Sequence, residues 1–415
     1  MKKILKDPIV FFFSLSILAL STSLIGNIGI AVILLVTVLL VFAKNDVAPI
    51  KSTTIKLLFL FYVVVIVYSF LGYGTLNEVT LTTQLFAFIS LVSCFIMSFH
   101  VARFEETQIK ALVGVFIVCI LYSVAGTTYV GEINPMALRE FGIGEFTGAE
   151  LEESTMYRSM GMMSYSLAHA MSVVSVGLSA LFCYTLKKWL KVLSLVLLLL
   201  IIRLLFVMTI TTALLFTIVG CAAIFAGYFT KGKFFLSMII VVLLIIFVFS
   251  AGYITTLLGF TEGNNEEITI KLFDLLNLAQ SGSDSGQAGY RQSLYLTSLR
   301  TFLRNPFFGL GVDNGSRTVI GEHSYLLDFF AYYGVLALLF FAAWWKGLKL
   351  FCTQLPKPLR SSCYLSFIPV VGLIALKGES VCSLLPFFSM VFLQIIFAYL
   401  RNELSASKES LNWHF

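Results

Sequence analysis

The sequence predicts an all-α polytopic membrane protein with about twelve transmembrane helices and a large extracytoplasmic loop that contains short helices. Three observations indicate this class. Of the 415 residues, 59% are hydrophobic and only 12% are charged, and the mean hydropathy is +0.94. A soluble domain typically has about 25% charged residues. The apolar residues also fall in long runs, and the charged residues are divided unevenly between the segments that connect them.

Twelve apolar runs are long enough to be membrane-spanning helices, which need about 20 residues each. Backbone amides and carbonyls cannot stay unpaired in lipid, so each run is predicted to be helical. The short turn TITT at 209–212 separates the seventh run from the eighth. The predicted spans are 9–24, 26–43, 57–74, 81–99, 111–128, 159–186, 192–208, 213–229, 234–258, 323–345, 361–376 and 384–400.

The charges of the connecting segments predict the orientation of the chain. With both termini in the cytoplasm, the inner segments hold nineteen of the 28 Lys and Arg residues and six of the 22 acidic residues. The outer segments hold eight basic and fifteen acidic residues, and Arg203 and Asp328 lie within spans. Basic residues are enriched in cytoplasmic loops. The termini are therefore predicted to be cytoplasmic, and the loops 129–158 and 259–322 extracytoplasmic.

We divide the chain into three regions on this basis. Residues 1–258 form an N-terminal transmembrane bundle of about nine helices with the outer loop 129–158. Residues 259–322 form the large extracytoplasmic loop with an amphipathic helix, and residues 323–415 form the C-terminal transmembrane helices and a short cytoplasmic tail. Matched spans broken by Gly or Pro, which are typical of secondary transporters, are not seen in the sequence.

The amphipathic helix lies between Gly289 and Pro306 and separates three arginines. At helical spacing its apolar side holds Leu294, Tyr295, Leu299, Phe302 and Leu303, and Arg291 falls inside this arc. Arg300 and Arg304 project from the polar side, where they are solvated or touch substrate or lipid phosphates. A guanidinium suits a phosphate or pyrophosphate. A salt bridge between Arg291 and a Glu of an outer loop is the alternative, and both interpretations stay open.

The stretch EHSYLLDFFAYYG places His323 at the predicted start of a span. The positive end of the helix dipole favours a neutral imidazole there, which can accept a proton from a hydroxyl or orient it. Tyr325, Asp328 and Tyr332 form one polar stripe turned away from His323. We expect the Asp328 carboxylate to be satisfied by tyrosine hydroxyls or another helix, with a supporting role at the site.

Other candidates have a structural or a substrate-binding interpretation. Arg203, in the outer half of a span, either snorkels or pairs with Asp328, and Arg139 or Arg158 of the acidic outer loop could meet an anionic sugar. In PFFGLGVDNG, Gly309 and Gly311 allow close backbone approach, but a GxG without βαβ context is weak evidence of nucleotide binding. Motifs such as HExxH, the P-loop and DxD are missing, so we expect no metal, no cofactor and no nucleotide hydrolysis.

The order of these elements resembles the shared module of the O-antigen polymerase/ligase superfamily: an Arg-led helix, a P-x-x-G-x-G turn, then H-[NS]-x-Y-L and a later Gly. Two features depart from the pattern. Tyr325 follows Ser324 directly, and the TITT turn lacks the Arg of the family's T-x-S-R stretch. The matching positions are Arg291, Pro306, Gly309, Gly311, His323, Ser324, Tyr325, Leu326 and Gly334.

The resemblance implies a GT-C-like, metal-independent, inverting glycosyltransferase of the bacterial cytoplasmic (inner) membrane. Its donor would be undecaprenyl-pyrophosphate-linked oligosaccharide on the outer side, with His323 near the acceptor hydroxyl and Arg291 on the pyrophosphate. The second phosphate contact would fall to Arg203 or an arginine of the 129–158 loop. Expected partners are this lipid-linked substrate, the bilayer, and a chain-length regulator and flippase of the same pathway, with no nucleic acid.

These observations leave three candidate functions. A polysaccharide polymerase of the Wzy type comes first, making O-antigen or capsule. A ligase that transfers finished glycan to lipid A core or protein uses the same donor and site. A flippase for lipid-linked sugars would need charged groups along a pathway through the bundle, where the sequence offers only Arg203 and Asp328.

Overall fold

The computed structural model is helical throughout the part of the chain that it describes. The described residues are 8–21, 37, 52–70, 81–101, 103–134, 137–138, 149–208, 210–230, 239, 287–312, 320–321, 324–376 and 387–412. Within these ranges the chain forms helices and turns and no strand. Of the predicted large outer loop, the structure describes 287–312 and 320–321.

Fourteen α-helices are described, together with short 3-10 helices at Gly309–Val312 and Gly334–Leu336 and a π-helical turn at Phe388–Phe392. In chain order the helices are α1 Pro8–Ser21, α2 Thr53–Phe70, α3 Leu81–Val101, α4 Glu106–Ile133, α5 Ala149–Ser159, α6 Tyr165–Tyr184, α7 Lys188–Val207, α8 Thr211–Phe229, α9 Gln287–Arg304, α10 Tyr325–Tyr333, α11 Ala337–Cys352, α12 Lys357–Leu365, α13 Ile368–Leu376 and α14 Leu393–Asn412.

Six helical segments among the described residues are long and apolar enough to cross a membrane. They are Glu106–Ile133, Ser166–Tyr184, Lys188–Phe206, Thr212–Phe229, Tyr325–Cys352 and Leu359–Leu376. Each coincides with a predicted span, so the chain is a multi-pass membrane protein. Shorter apolar helices at Thr53–Val67 and Leu91–Val101 fall on two further predicted spans. The predicted spans 26–43 and 234–258 lie almost wholly outside the described residues, and the total of twelve stays a prediction.

Helix α6 lies at the centre of the bundle, with 89% of its spanning window buried. Its sequence alternates bulky residues with Ser, Ala and Gly, which let neighbouring helices approach closely. Ser164 caps its N-terminus by accepting from the Leu167 amide at 3.2 Å. The Ser172 hydroxyl donates to the Ala213 carbonyl of α8 at 2.8 Å. This helix therefore organises the part of the bundle that supports the C-terminal segments.

Helix α9 confirms the predicted helix between Gly289 and Pro306, but only part of its predicted apolar arc is packed. Ser298 and Thr301 are buried, whereas Leu299 is 36% and Leu303 64% exposed. The prediction that the leucines mark the packed side is wrong for these two residues. In a membrane protein apolar side chains can face lipid, so the side that packs is the one whose hydroxyls form hydrogen bonds between helices.

Candidate functional site

The site is built around the start of α10, where the module's H-S-Y segment enters the spanning helix Tyr325–Cys352. Ser324 is the N-cap, and its hydroxyl oxygen accepts from the Leu327 amide at 3.3 Å. The same hydroxyl donates to the Ala375 carbonyl at the end of α13, at 2.5 Å. The cap thus fixes the residue that follows position 323 against a second helix.

A buried polar pair joins α9 to α10. The Ser298 hydroxyl of α9 donates to Asp328 Oδ1, and Asp328 Oδ2 accepts from the Ser324 amide at 3.2 Å. Ser298 is fully buried and Asp328 is 8% exposed. A buried carboxylate is costly unless hydrogen bonds stabilise it. We call these two residues the Ser298–Asp328 pair.

The backbone just before the H-S-Y segment lies directly against α9. The Gly321 amide donates to Ser298 Oγ at 2.9 Å. A Cβ atom at Gly321 would lie 2.1 Å from the Leu294 carbonyl oxygen, so only glycine fits. The preceding Ile320 is buried in a small apolar cluster with Leu310 and Ala331. Residues on both sides of positions 322 and 323 are therefore held in place.

The P-x-x-G turn after α9 packs against the break between α10 and α11. The Val335 amide donates to the Pro306 carbonyl at 2.8 Å, and Gly309 and Gly334 both adopt positive φ angles, +64° and +59°. A Cβ atom on Gly309 would lie 2.4 Å from the Tyr332 carbonyl oxygen. Gly309 therefore provides close backbone approach, as predicted, and what approaches is the end of α10.

Of the two central candidates, His323 and Arg291, the structure describes only the backbone of Arg291. His323 lies outside the described residues. Arg291 lies in the first half of α9, and its side chain is outside the described part of the structure. Position 291 comes two helical turns before Ser298, on the same face, which is about 10 Å along the axis. The convergence of the two side chains stays a prediction.

The remaining candidates are distributed over several elements. Arg300 and Arg304 are exposed on α9, and Arg203 is exposed on α7. Arg139 lies outside the described residues. Tyr325 is half-buried, with its ring stacked on Phe329 at a centroid distance of 5.1 Å. Asp328 bonds to Ser298 of α9 and to the Ser324 amide, which agrees with the expected satisfaction of its carboxylate by another helix. Its supporting role at the site stays a prediction.

Arg158 is half-buried near the end of α5, a helix in the acidic outer loop. This helix is tied to α4, because the Tyr122 hydroxyl donates to the Ser159 carbonyl at 2.7 Å. The buried Tyr157 donates to Glu153 at 2.7 Å, and this carboxylate raises the pKa of Tyr157 above its ordinary value. The described part of the loop is therefore docked on the bundle.

Sequence reasoning missed Ser298. The sequence did contain an indication of its role, because Ser298 is a polar residue next to Arg291 within the predicted apolar arc of the helix. A hydroxyl inside an apolar arc must find a hydrogen-bond partner when the helix packs. The neighbouring Asp328 was recognised, but no periodicity in the sequence relates residues on two different helices.

Fold and site together define a multi-pass membrane protein, helical throughout its described ranges, in which a loop helix is fixed to the start of a spanning helix. Residues 195–342 match the family model Wzy_C, described as O-antigen ligase. The match includes the second part of α7, all of α8 to α10 and both residues of the Ser298–Asp328 pair, and it confirms the resemblance to the O-antigen polymerase/ligase superfamily. No curated protein matches the chain.

Proposed function

We propose that this protein is a membrane glycosyltransferase that polymerises undecaprenyl-pyrophosphate-linked oligosaccharide units into O-antigen or capsular polysaccharide. One observation carries the proposal beyond the family match. Through Ser298, helix α9 is bonded to the residues on both sides of positions 322 and 323. The segments that bear Arg291 and His323 therefore belong to one local unit, as a shared site for a lipid-linked phosphosugar requires.

In the proposed reaction, which is metal-independent and inverting in a GT-C-like bundle, the growing chain on its lipid pyrophosphate is the donor. A hydroxyl of a single lipid-linked repeat unit attacks the anomeric carbon from the face opposite the pyrophosphate. A new C–O glycosidic bond forms, and the bond between the anomeric carbon and the pyrophosphate oxygen breaks. His323 accepts or orients the proton of the hydroxyl. Arg291 stabilises the charge that develops on the leaving pyrophosphate.

Other arginines would complete the phosphate and sugar contacts. Arg300 and Arg304 are exposed on the helix that carries Arg291, and suit the outer part of the lipid pyrophosphate or neighbouring lipid phosphates. Arg158, Arg139 or Arg203 would supply the second phosphate contact that the TITT turn lacks. The site would lie on the outer face of the cytoplasmic membrane, with a flippase and a chain-length regulator acting before and alongside it.

A ligase is the second candidate, because the family model that matches is described as O-antigen ligase. Polymerase and ligase share the donor and the inverting chemistry, and they differ in the acceptor. A ligase would transfer finished glycan to lipid A core or to protein. A flippase ranks below both, since its pathway through the bundle would need charged groups that the sequence offers only at Arg203 and Asp328.

The test is complementation of a deletion strain, read out as its glycan profile. A polymerase deletion leaves single repeats on the final carrier, whereas a ligase deletion leaves the carrier bare and polymer stranded on undecaprenyl lipid. His323→Ala and Arg291→Lys should each lower glycan transfer by roughly 10²-fold, the typical effect of removing one transition-state contact. Gln292→Ala, on the exposed neighbouring position of α9, is the control and should restore the wild-type profile.

These variants must be inserted in the membrane at the same level as the wild-type protein. Full-length chains made by His323→Ala would contradict its assignment. A deletion strain with an unchanged glycan profile would contradict both transferase functions.

A further inference from the structure

The backbone on both sides of His323 is held by one buried polar pair. On one side, the Gly321 amide donates to Ser298 Oγ at 2.9 Å. On the other, the Ser324 amide donates to Asp328 Oδ2 at 3.2 Å. The Ser298 hydroxyl closes the set by donating to Asp328 Oδ1. The flanking residues are thus connected to each other and to α9 by three hydrogen bonds.

In this arrangement the Ser298 hydroxyl is both a hydrogen-bond donor and a hydrogen-bond acceptor. Its hydroxyl has a single proton, which goes to Asp328, and its oxygen accepts the Gly321 amide. Removing the hydroxyl would therefore leave both a buried amide and a buried carboxylate oxygen without this partner. No other residue type of the same size provides both functions, since Ala has no polar atom and Cys forms weaker hydrogen bonds.

The pair also costs stability that a structural helix contact would not need. Taking a carboxylate out of water is unfavourable by several kcal/mol, and apolar residues of similar volume often stabilise such a contact as well or better. Asp328 is nevertheless 8% exposed and Ser298 fully buried. Hydrogen bonds from buried supporting residues hold a functional side chain in its productive geometry, and this is the use we consider for the pair.

We propose that Ser298 and Asp328 are positioning residues that fix His323 relative to Arg291, an inference that rests on the proposed function. The Ser298–Asp328 pair holds Gly321 and Ser324, the described residues on either side of positions 322 and 323, against α9. Position 291 lies on that same helix and face. The pair therefore fixes the separation of the acceptor-activating group and the pyrophosphate-binding group.

The test combines kinetics and distance measurement on the full-length protein in proteoliposomes. The substrate is the purified lipid-linked repeat unit, used as donor and acceptor. Ser298→Ala should lower kcat about 10- to 100-fold with the KM nearly unchanged, since a misplacement of about 1 Å can cost 10²-fold in rate. Ser298→Thr retains the hydroxyl and should recover most of the activity.

Thr297→Ala is the matched control. It removes a hydroxyl from the adjacent position of the same helix, where Thr297 donates only within α9, to the Ser293 carbonyl at 2.8 Å. It should keep both kcat and KM. If Ser298→Ala and Thr297→Ala lowered kcat to the same extent, the loss of any hydroxyl from α9 would explain the effect. This result would overturn the proposal.

The second readout does not depend on activity. Spin labels introduced as non-canonical amino acids at positions 292 and 322 should give a narrow distance distribution in the parent and in Thr297→Ala. Ser298→Ala should broaden it. Unchanged distances, or broadened distances with unchanged kcat, would overturn the positioning role. A parent protein without transferase activity would instead overturn the proposed function, and the distances would still report whether the pair fixes the segment.

Discussion

Gly309 and Gly334 close the turn after α9 against the break between α10 and α11. Both adopt positive φ, and the Val335 amide reaches the Pro306 carbonyl across the contact. A Cβ atom on Gly334 would lie 2.5 Å from the Phe307 carbonyl group and 2.6 Å from the Pro306 oxygen. An L-residue would be strained here twice, by its own conformation and by backbone atoms that cannot rotate away.

Gly334→Ala should therefore destabilise the protein by about 1–3 kcal/mol, the range for a non-glycine residue held in a sparsely populated conformation. The measurement is thermal unfolding of the detergent-solubilised protein. Gly114→Ala is the control, because a Cβ atom there meets nothing within 4 Å and Ala favours a helix interior by roughly 1 kcal/mol. Equal Tm shifts for the two variants would refute the structural role of Gly334.

Helix α6 shows at the level of the element how this bundle is held together. A Cβ atom at Gly177 would lie 2.5 Å from the Phe392 ring, and one at Gly220 of α8 would lie 2.5 Å from Val176. The ring of Phe392 is itself buried and packs edge-on against Phe116 at 4.6 Å. Lipid removes the hydrophobic driving force between helices, so close packing and hydrogen bonds provide the stability.

Gly177→Val should destabilise the bundle by about 1–3 kcal/mol, because the added methyl groups overpack a core that cannot move aside. Ser172→Ala, which removes the hydrogen bond to Ala213, should cost only about 0.6 kcal/mol, the average for such bonds in membranes. The free energies of unfolding of the two variants can be compared by reversible unfolding in bicelles. Val118→Leu is the control, because position 118 is 65% exposed. A larger loss of unfolding free energy in Ser172→Ala than in Gly177→Val would refute this account.

Helix α9 illustrates how far a single element can be predicted. Its C-terminal end before Pro306 agrees with the structure, whereas the helix begins at Gln287, so Gly289 lies inside its first turn. Its orientation does not follow, because hydropathy periodicity finds the packed side only when water is the alternative environment. Leu299 and Leu303 are exposed, and the Ser298 hydroxyl at the other end of the arc packs against α10 instead.

For the whole molecule, segments predicted to be cytoplasmic gather at one end of the bundle. Glu403 of α14 accepts from the Thr185 hydroxyl at 2.8 Å and from the Leu186 amide at 3.2 Å. Glu106 and Lys187 line the same small pocket as Glu403. The Ser298–Asp328 pair lies at the start of α10, which is the predicted outer end of its span. This grouping agrees with the predicted alternation of the loops, and the side of the membrane stays a prediction.

Cysteine labelling of the full-length chain in intact spheroplasts checks the side. A membrane-impermeant maleimide should label Ser293→Cys without permeabilisation, because the enrichment of Lys and Arg in the inner segments predicts that the loop 259–322 faces outward. Lys188→Cys, an exposed position of a predicted inner loop, should be labelled only after permeabilisation. The unsubstituted protein gives the background from native cysteines. If Lys188→Cys were labelled in intact spheroplasts and Ser293→Cys only after permeabilisation, the proposed location of the site on the outer face would be wrong.

The sequence by itself determined the membrane class, six of the spanning helices and the resemblance to the O-antigen polymerase/ligase superfamily, because hydropathy, charge distribution and motif order are local properties of the chain. Only the tertiary structure decided that Ser298 pairs with Asp328 and that Gly309 and Gly334 meet. These contacts join residues that are 25 to 30 positions apart on helices whose relative rotation no local pattern specifies. In lipid this rotation is set by a few hydrogen bonds and close backbone contacts, which become apparent only when both helices are in place.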